Sequence, residues 1–213
     1  MVLTHGTPSR SLVWHEVALA LAELVEQWGL DRPALIGHDI GAAVILRAHL
    51  LERVAASHLG LIDGVVLAPW ITPRTREMQQ SPERWSSLPD RELDELIAEH
   101  LRTATVSPLS EELWHGLFGQ WEGRRGQALY LRNLAQLDEE HTRAFEALLP
   151  TITAPTAIIW GEQDAWLPVK TAQRIAERIP GATITKLPQA GHFSMQDDPT
   201  GVSHALTGLL DGR

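Results

Sequence analysis

The sequence predicts an α/β fold with a largely parallel sheet and an inserted block of helices. At both ends of the chain, short apolar runs alternate with helical patterns, which is typical of strands covered by helices on both faces. The central stretch shows helical patterns without intervening strands. With 213 residues, of which 44% are hydrophobic and 21% charged, the chain is long enough for one ordinary domain with a substantial core.

The N-terminal part predicts the order strand, helix, strand, helix, strand. MVLTHG begins the chain as a short buried strand, and apolar positions then recur at helical spacing over residues 15–28. A second strand is predicted at 33–37 (PALIG), a helix at 41–56 and a third strand at 61–68 (LIDGVVLA). Continuous apolar runs of this kind indicate parallel strands that are buried on both faces.

The central part, residues 69–150, predicts an all-helical insertion. It contains four of the eight tryptophans and the single tyrosine, and prolines at 69, 73, 82, 89 and 108 separate its helical patterns. RELDELIAEHLRTA and GQALYLRNLAQL are two of those patterns. We therefore expect residues 1–68 and 151–213 to form the core and residues 69–150 to form a helical cap.

The C-terminal part returns to alternating strands and helices. It predicts, in order, a strand at 156–161 (TAIIWG), a helix at 170–179, a strand at 182–187 (ATITKL) and a last helix from about Val202. Strands joined by helices in this way form parallel sheets. Reactive residues gather at the carboxyl ends of the strands of such sheets.

Composition excludes several classes of function. The formal net charge is −9 and no basic run stands out, which disfavours nucleic acid and anionic membranes as partners. The absence of cysteine excludes disulfides and thiolate metal sites and fits a reducing cytoplasm. No apolar run reaches the ~20 residues that span a bilayer, and the first residues lack signal-peptide features. We expect a cytoplasmic protein that acts on a small molecule without cofactor or metal.

The stretch ALIGHDIGAAV places Asp39 between two glycines, where a predicted strand gives way to a helix. Asp39 is either the N-cap of that helix or a nucleophile on a sharp turn. Asp164 and His192 each follow a later apolar strand, in WGEQDAWLP and QAGHFSMQDDP. The order nucleophile, acid, histidine on loops that follow strands favours a catalytic triad. Asp63, in LIDGVV, is the alternative acid.

On these motifs the sequence resembles the α/β-hydrolase family over nearly its whole length. THGTP resembles the oxyanion loop of the family, and GHDIG resembles the nucleophile elbow with aspartate in place of serine. The resemblance implies that Asp39 is the nucleophile, His192 the base and Asp164 the acid that orients the base. It also implies that the backbone N–H groups of Thr7 and Ile40 hold the oxyanion.

With an aspartate as nucleophile, the sequence resembles the branch of the family that contains epoxide hydrolases and haloalkane dehalogenases. These enzymes form an alkyl-enzyme ester. Dehalogenases of this kind usually have a tryptophan after the nucleophile and often an asparagine in the oxyanion loop, where this chain has Ile40 and Thr7. Epoxide hydrolases commonly use two cap tyrosines, and this chain has Tyr130 alone. Both substrates stay open, and we expect Tyr130, Trp70 and Trp166 to face the substrate. An esterase is disfavoured because Asp39 replaces the serine.

The resemblance also implies that three strands of the family's usual eight are missing. The family's spatial order is 1-2-4-3-5-6-7-8, and the missing first, second and fourth strands form one block at an edge. About five strands remain as a continuous parallel sheet. The strand VLTH then becomes an edge, through which two copies of the chain could pair as a homodimer. The trimmed edge also favours an alternative function, a non-catalytic protein of this fold that binds a small ligand or partner.

Overall fold

The computed structural model describes the backbone of residues 2–4 and 11–212 and the side chains of residues 17–212. Its described residues contain a five-stranded sheet in which every neighbouring pair of strands is parallel. The strands are β1 (Val2–Thr4), β2 (Ala34–His38), β3 (His58–Ile62), β4 (Thr156–Gly161) and β5 (Thr183–Leu187). Their spatial order equals their chain order. The predicted α/β fold with a parallel sheet of about five strands is confirmed.

Eleven α-helices accompany the sheet within the described part of the chain. They are α1 (Ser11–Gln27), α2 (Ile40–Leu50), α3 (Pro73–Gln80), α4 (Pro82–Ser86), α5 (Asp90–Arg102), α6 (Glu111–Phe118), α7 (Gly123–Ala135), α8 (Glu140–Glu146), α9 (Lys170–Ala176), α10 (Ser194–Asp197) and α11 (Pro199–Leu210). Helices α1, α2 and α9 are the crossovers that parallel strands require. No helix in the described ranges is long and apolar enough to cross a membrane.

The sheet is buried because its strands send alternate side chains to two apolar layers. Leu35 on β2 and Ile158 on β4 pack into the layer with α1, α2 and α9, and both are fully buried. Their neighbours Ile36 and Ile159 pack into the opposite layer with α11. All residues of β2 and β4 are buried, as the continuous apolar runs predicted.

Two predicted elements extend six residues beyond their observed ends. The third strand is His58–Ile62 rather than 61–68, because Asp63 turns the chain with a φ of 42° and ends the strand. Helix α2 ends at Leu50 rather than at residue 56. Beyond it, Arg53 adopts a φ of 60°, and the ring of His49 hydrogen-bonds the carbonyl of Val54 at 2.8 Å. Strand β1 pairs with β2 and with no other described strand, and dimerisation through it stays a prediction.

Helices α3 to α8 lie between β3 and β4, in the stretch for which the sequence predicts helices alone. We call this stretch the helical insertion. It has an apolar cluster of its own, against which Trp166 and Phe193 also pack. Its last helix, α8, instead sends Phe145 into the main core beside α2. The division into a core at residues 1–68 and 151–213 and a cap at 69–150 stays a prediction.

Candidate active site

Asp39 stands on a strained turn directly after β2. Its φ of 51° and ψ of −122° lie outside the conformations that L-residues favour. The turn is fixed by two backbone hydrogen bonds of 3.0 Å, from Asp39 to the carbonyl of Ile62 and from Val65 to the carbonyl of Asp39. Gly37 is required because a Cβ there would lie 2.4 Å from the carbonyl carbon of Gly41. The side chain of Asp39 makes no capping hydrogen bond, which argues against the N-cap interpretation.

The structure brings the three predicted catalytic residues together. His192 donates a hydrogen bond from Nδ1 to Oδ2 of Asp164 at 2.9 Å. Its Nε2 lies 3.6 Å from Oδ1 of Asp39 and has no hydrogen-bond partner among the described residues. The side chains of His192 and Asp164 are 1% and 0% exposed, and that of Asp39 is 17% exposed. The imidazole therefore lies between two carboxylates in a largely dry site.

Asp164 is held by the loop that it begins. Its Oδ1 accepts hydrogen bonds from the backbone N–H groups of Trp166 at 2.7 Å and Leu167 at 2.9 Å. Its other oxygen is thereby directed at His192. This arrangement fixes the rotamer of the carboxylate and the tilt of the imidazole that it contacts.

Asp63, the alternative acid, has different partners. One of its oxygens accepts from the backbone N–H of Gly161 at 2.8 Å, and the other accepts from the Ser194 hydroxyl. No hydrogen bond joins it to His192 among the described residues. Burial raises the pKa of Asp63 to about 7, against the lowering influences of His192 and Ser194. Asp164 is therefore the carboxylate in hydrogen-bond contact with the imidazole.

The three buried carboxylates determine the charge of His192. Burial is the largest single influence and opposes the imidazolium, but Asp164, Asp39 and Asp63 together outweigh it. The pKa of His192 is consequently raised to about 9. Burial raises the pKa of Asp39, while His192 and the backbone N–H of Ile40 lower it. At neutral pH the imidazole of His192 is therefore protonated in the resting site.

His38, which precedes Asp39, connects the elbow to the histidine loop. Its Nε2 donates to the backbone carbonyl of His192 at 2.9 Å, and the two rings lie 5.0 Å apart. The side chain of His38 is buried. The strand that positions the carboxylate therefore also supports the backbone of the imidazole.

A cavity of about 430 Å³ opens above the triad, between the carboxyl ends of the strands and the helical insertion. Asp39, His192 and all three predicted substrate-facing residues, Trp70, Trp166 and Tyr130, line it. Most other lining residues are apolar and come from the insertion, including Phe118, Trp121 and Leu134. This lining suits a small, largely apolar ligand.

The polar atoms of the three predicted cavity residues differ in their partners. The indole N–H of Trp70 donates to the Thr142 hydroxyl at 3.0 Å, and that of Trp166 donates to the Thr103 hydroxyl at 2.8 Å. The hydroxyl of Tyr130 is buried without a hydrogen-bond partner among the described residues. Burial raises the pKa of Tyr130, so its phenol is neutral. Tyr130 is thus the one of the three with an unused donor.

His100 was not predicted from the sequence. Its ring stacks on Trp166, with centroids 4.6 Å apart and planes 13° apart, and Trp166 contacts His192 at 4.6 Å on the site side. Burial, then Arg74 and His192, lower the pKa of His100 to about 4, so the imidazole in the cavity wall is neutral. It lies on the amphipathic helix α5, where no local motif distinguishes it.

The predicted oxyanion donors are described only in part. The backbone N–H of Ile40 lies beside the Asp39 carboxylate and favours its charged form. Thr7, with His5 in the same predicted loop, lies outside the described residues. Within the described ranges, no group of three or more histidine or acidic side chains could hold a metal ion.

A family comparison agrees with this geometry. The profile of the "Alpha/beta hydrolase family" matches residues 2–205. The chain belongs to that family. A 2-hydroxy-6-oxononadienedioate/2-hydroxy-6-oxononatrienedioate hydrolase from a Pseudomonas species is 26% identical over 184 residues, which are 83% of this chain and 62% of that relative. The chain thus spans less than two thirds of the length of this curated hydrolase.

Solved structures with the same fold superpose on the chain. An alpha/beta hydrolase fold protein from Burkholderia ambifaria has a TM-score of 0.85 at 27% identity, covering 99% of this chain and 89% of that one. The haloalkane dehalogenase DbeA from Bradyrhizobium elkani USDA94 has a TM-score of 0.74 at 16% identity, with the same coverage. The second likeness shows the fold alone.

Proposed function

We propose that this family member is a hydrolase that opens a small, largely apolar epoxide through an ester to Asp39. The observation that supports the proposal is the arrangement of Asp39, His192 and Asp164 beneath the apolar cavity. A carboxylate on a strained turn, 3.6 Å from the unpartnered nitrogen of a buried histidine, suits nucleophilic attack followed by hydrolysis.

In the first step, Oδ of Asp39 attacks a ring carbon of the epoxide. A carbon–oxygen bond to Asp39 forms while the ring carbon–oxygen bond breaks, and its electron pair moves to the ring oxygen. The Tyr130 hydroxyl donates its proton to that oxygen, which leaves a tyrosinate. The unused donor of Tyr130 in the cavity wall supports this role. The products of this step are an alcohol and an ester of Asp39.

In the second step, water hydrolyses the ester. Esterification removes the charge of Asp39, one of three carboxylates that raise the pKa of His192, so the imidazolium releases its proton to solvent more readily. Nε2 then takes a proton from water, and the hydroxide adds to the ester carbonyl beside the N–H of Ile40. Collapse expels the diol oxygen, which takes the proton back from His192. The proton left on Asp39 returns to the Tyr130 oxygen, and His192 regains from solvent the proton that it released. The net reaction is epoxide plus water to diol.

A haloalkane is the less favoured substrate. A departing halide needs N–H donors, and the indole groups of Trp70 and Trp166 already donate to threonine hydroxyls. Ile40 occupies the position after the nucleophile, where its side chain donates no hydrogen bond. The unpartnered phenol of Tyr130 instead suits an oxygen that needs a proton.

The first test is intact-mass spectrometry of His192→Ala after incubation with a panel of epoxides and bromoalkanes. Removal of the base should stop ester hydrolysis and leave attack by Asp39 intact, so we expect a stable adduct on the peptide that contains residue 39. The matched control is the double variant Asp39→Ala/His192→Ala, which should give none. The panel member that reacts identifies the leaving group.

A single turnover of the wild type in water labelled with oxygen-18 tests the ester independently. Because water attacks the carbonyl of Asp39, we expect the label in the protein and unlabelled diol from the first turnover. Label in the diol would indicate direct attack by water and would contradict the nucleophilic role of Asp39. A folded His192→Ala variant that forms no adduct would favour a non-catalytic binding protein.

A further inference from the structure

The carboxylate of Asp197 attaches the loop of His192 to the helical insertion. Asp197, five residues after His192, accepts hydrogen bonds from three backbone N–H groups, one in its own loop and two in a distant segment. Gly191 donates to Oδ2 at 2.9 Å and precedes His192. Val106 donates to both oxygens at 3.1 and 2.9 Å, and Ser107 donates to Oδ1 at 3.1 Å. Val106 and Ser107 lie in the insertion, between α5 and α6.

Two further contacts join the same segments. The backbone N–H of Phe193 donates to the carbonyl of Ala104 at 2.7 Å. Gly191 lies so close to the insertion that a Cβ there would be 3.0 Å from the oxygen of Ala104. We call the contacts of residues 191, 193 and 197 with residues 104–107 the clamp.

The rings of His100, Trp166 and His192 form a second connection between α5 and the loop of His192. Trp166 lies between His100 and His192, and its indole N–H donates to Thr103 at the end of α5. The ring of His192 is therefore linked to α5 through Trp166, and the backbone on either side of His192 contacts the segment that follows α5. A shift of the end of α5 would move the imidazole relative to Asp39 and Asp164.

We propose that Asp197 is a positioning residue for His192, which holds the imidazole at the angle that ester hydrolysis requires by fixing its loop to residues 104–107. This inference rests on the proposed function for the step that it affects. Attack by Asp39 on the substrate does not need the imidazole as a base, whereas hydrolysis of the ester does. Loss of the clamp should therefore slow the second step selectively.

The substitution Asp197→Asn tests this role with little change in shape. The three N–H donors converge on both oxygens, so neither orientation of an amide satisfies them all. In one orientation the NH₂ group of the asparagine faces the N–H of Gly191, and in the other it faces the N–H of Ser107, so two donors meet in either case. The matched control is Asp198→Asn, because Asp198 caps α11 through Gly201 and asparagine caps equally well.

The kinetic experiment separates the two half-reactions by rapid quenching and mass spectrometry with the epoxide that labels His192→Ala. For Asp197→Asn we expect adduct formation at the wild-type rate and adduct decay about 10- to 100-fold slower, which is typical of a misplaced catalytic group. Asp198→Asn should match the wild type in both. A proportional fall of both rates in Asp197→Asn, or no change in either, would overturn the positioning role.

A second measurement needs no substrate. The pKa of the His192 imidazole is followed by NMR in the wild type and both variants. A loosened contact with Asp164 should lower it in Asp197→Asn and leave it unchanged in Asp198→Asn. An unchanged pKa in Asp197→Asn would overturn the proposal even if no epoxide reacts. If that variant does not fold, Ser107→Pro, which removes one N–H donor, is measured in the same way.

Discussion

The backbone of residue 39 adopts a conformation that costs an L-residue about 1–3 kcal/mol, whereas glycine adopts positive φ freely. Burial also penalises the charged carboxylate there. We therefore expect Asp39→Gly to raise the free energy of unfolding by about 1 kcal/mol in urea denaturation and to abolish turnover. The control is Asp31→Gly, in an exposed loop with ordinary φ, which should not raise the free energy of unfolding. A destabilised Asp39→Gly variant would contradict the idea of stored strain.

His192 makes stability depend on pH. Its pKa is about 9 in the folded protein and 6.5 ordinarily, so its imidazolium stabilises the fold fully below pH 6.5 and this contribution disappears as the pH rises through 9. We expect the free energy of unfolding, measured in guanidinium chloride from about pH 7 to 10, to fall more steeply for the wild type than for His192→Ala. His204→Ala, an exposed histidine on α11, should follow the wild type. Parallel curves for wild type and His192→Ala would refute the shift.

At the scale of elements, the contact of β2 with α2 depends on Gly37. A Cβ at this position would lie 2.4 Å from backbone atoms of Gly41, which cannot move without shifting the helix. We expect Gly37→Ala to destabilise the protein by several kcal/mol or to prevent folding, as judged by circular dichroism and urea denaturation. Gly208→Ala is the control, because its Cβ meets no atom within 4 Å and alanine favours α11. A well-folded Gly37→Ala protein with an unchanged melting temperature would contradict this packing.

Elements with strong local signals could be predicted from the sequence, and their ends could not. The continuous apolar runs of β2 and β4 identify buried strands because both faces are covered. LIDGVVLA carries the same signal, but its strand ends before Asp63, whose carboxylate binds Gly161 across the sheet. That interaction joins residues 98 positions apart, so no local sequence pattern predicts it.

For the candidate site, the proximity of residues in local motifs could be predicted from the sequence, whereas contacts that depend on packing could not. Asp39, Asp164 and His192 lie in short motifs directly after strands, and the parallel sheet brings such positions together. His100 and Asp197 make contacts between the insertion and the loops, and these contacts depend on how α5 packs. Sequence spacing contains no information about that packing.

At the scale of the whole molecule, the helical insertion takes part in the main core. Phe145 on α8 is fully buried in the cluster that contains the sheet and α2. We expect Phe145→Ala to lower the free energy of unfolding by about 3–5 kcal/mol in one cooperative transition. Leu113→Ala, at a side chain that is 45% exposed on α6, should cost far less. A separate early transition for the insertion would show that α8 does not couple the two clusters.

The hydrogen bond between His38 and His192 joins residues 154 positions apart, and the neighbours β3 and β4 are separated by the entire helical insertion. At a synthesis rate of ~5–20 residues per second, roughly 8–30 s pass on the ribosome between the emergence of one histidine and the other. From the emergence of Ile62 to that of Thr156, which takes roughly 5–19 s at the same rate, β3 lacks its β4 neighbour and exposes an unpaired edge. We therefore expect the nascent chain to expose this edge until its last quarter begins to appear, and slower synthesis at lower temperature should lengthen that exposure.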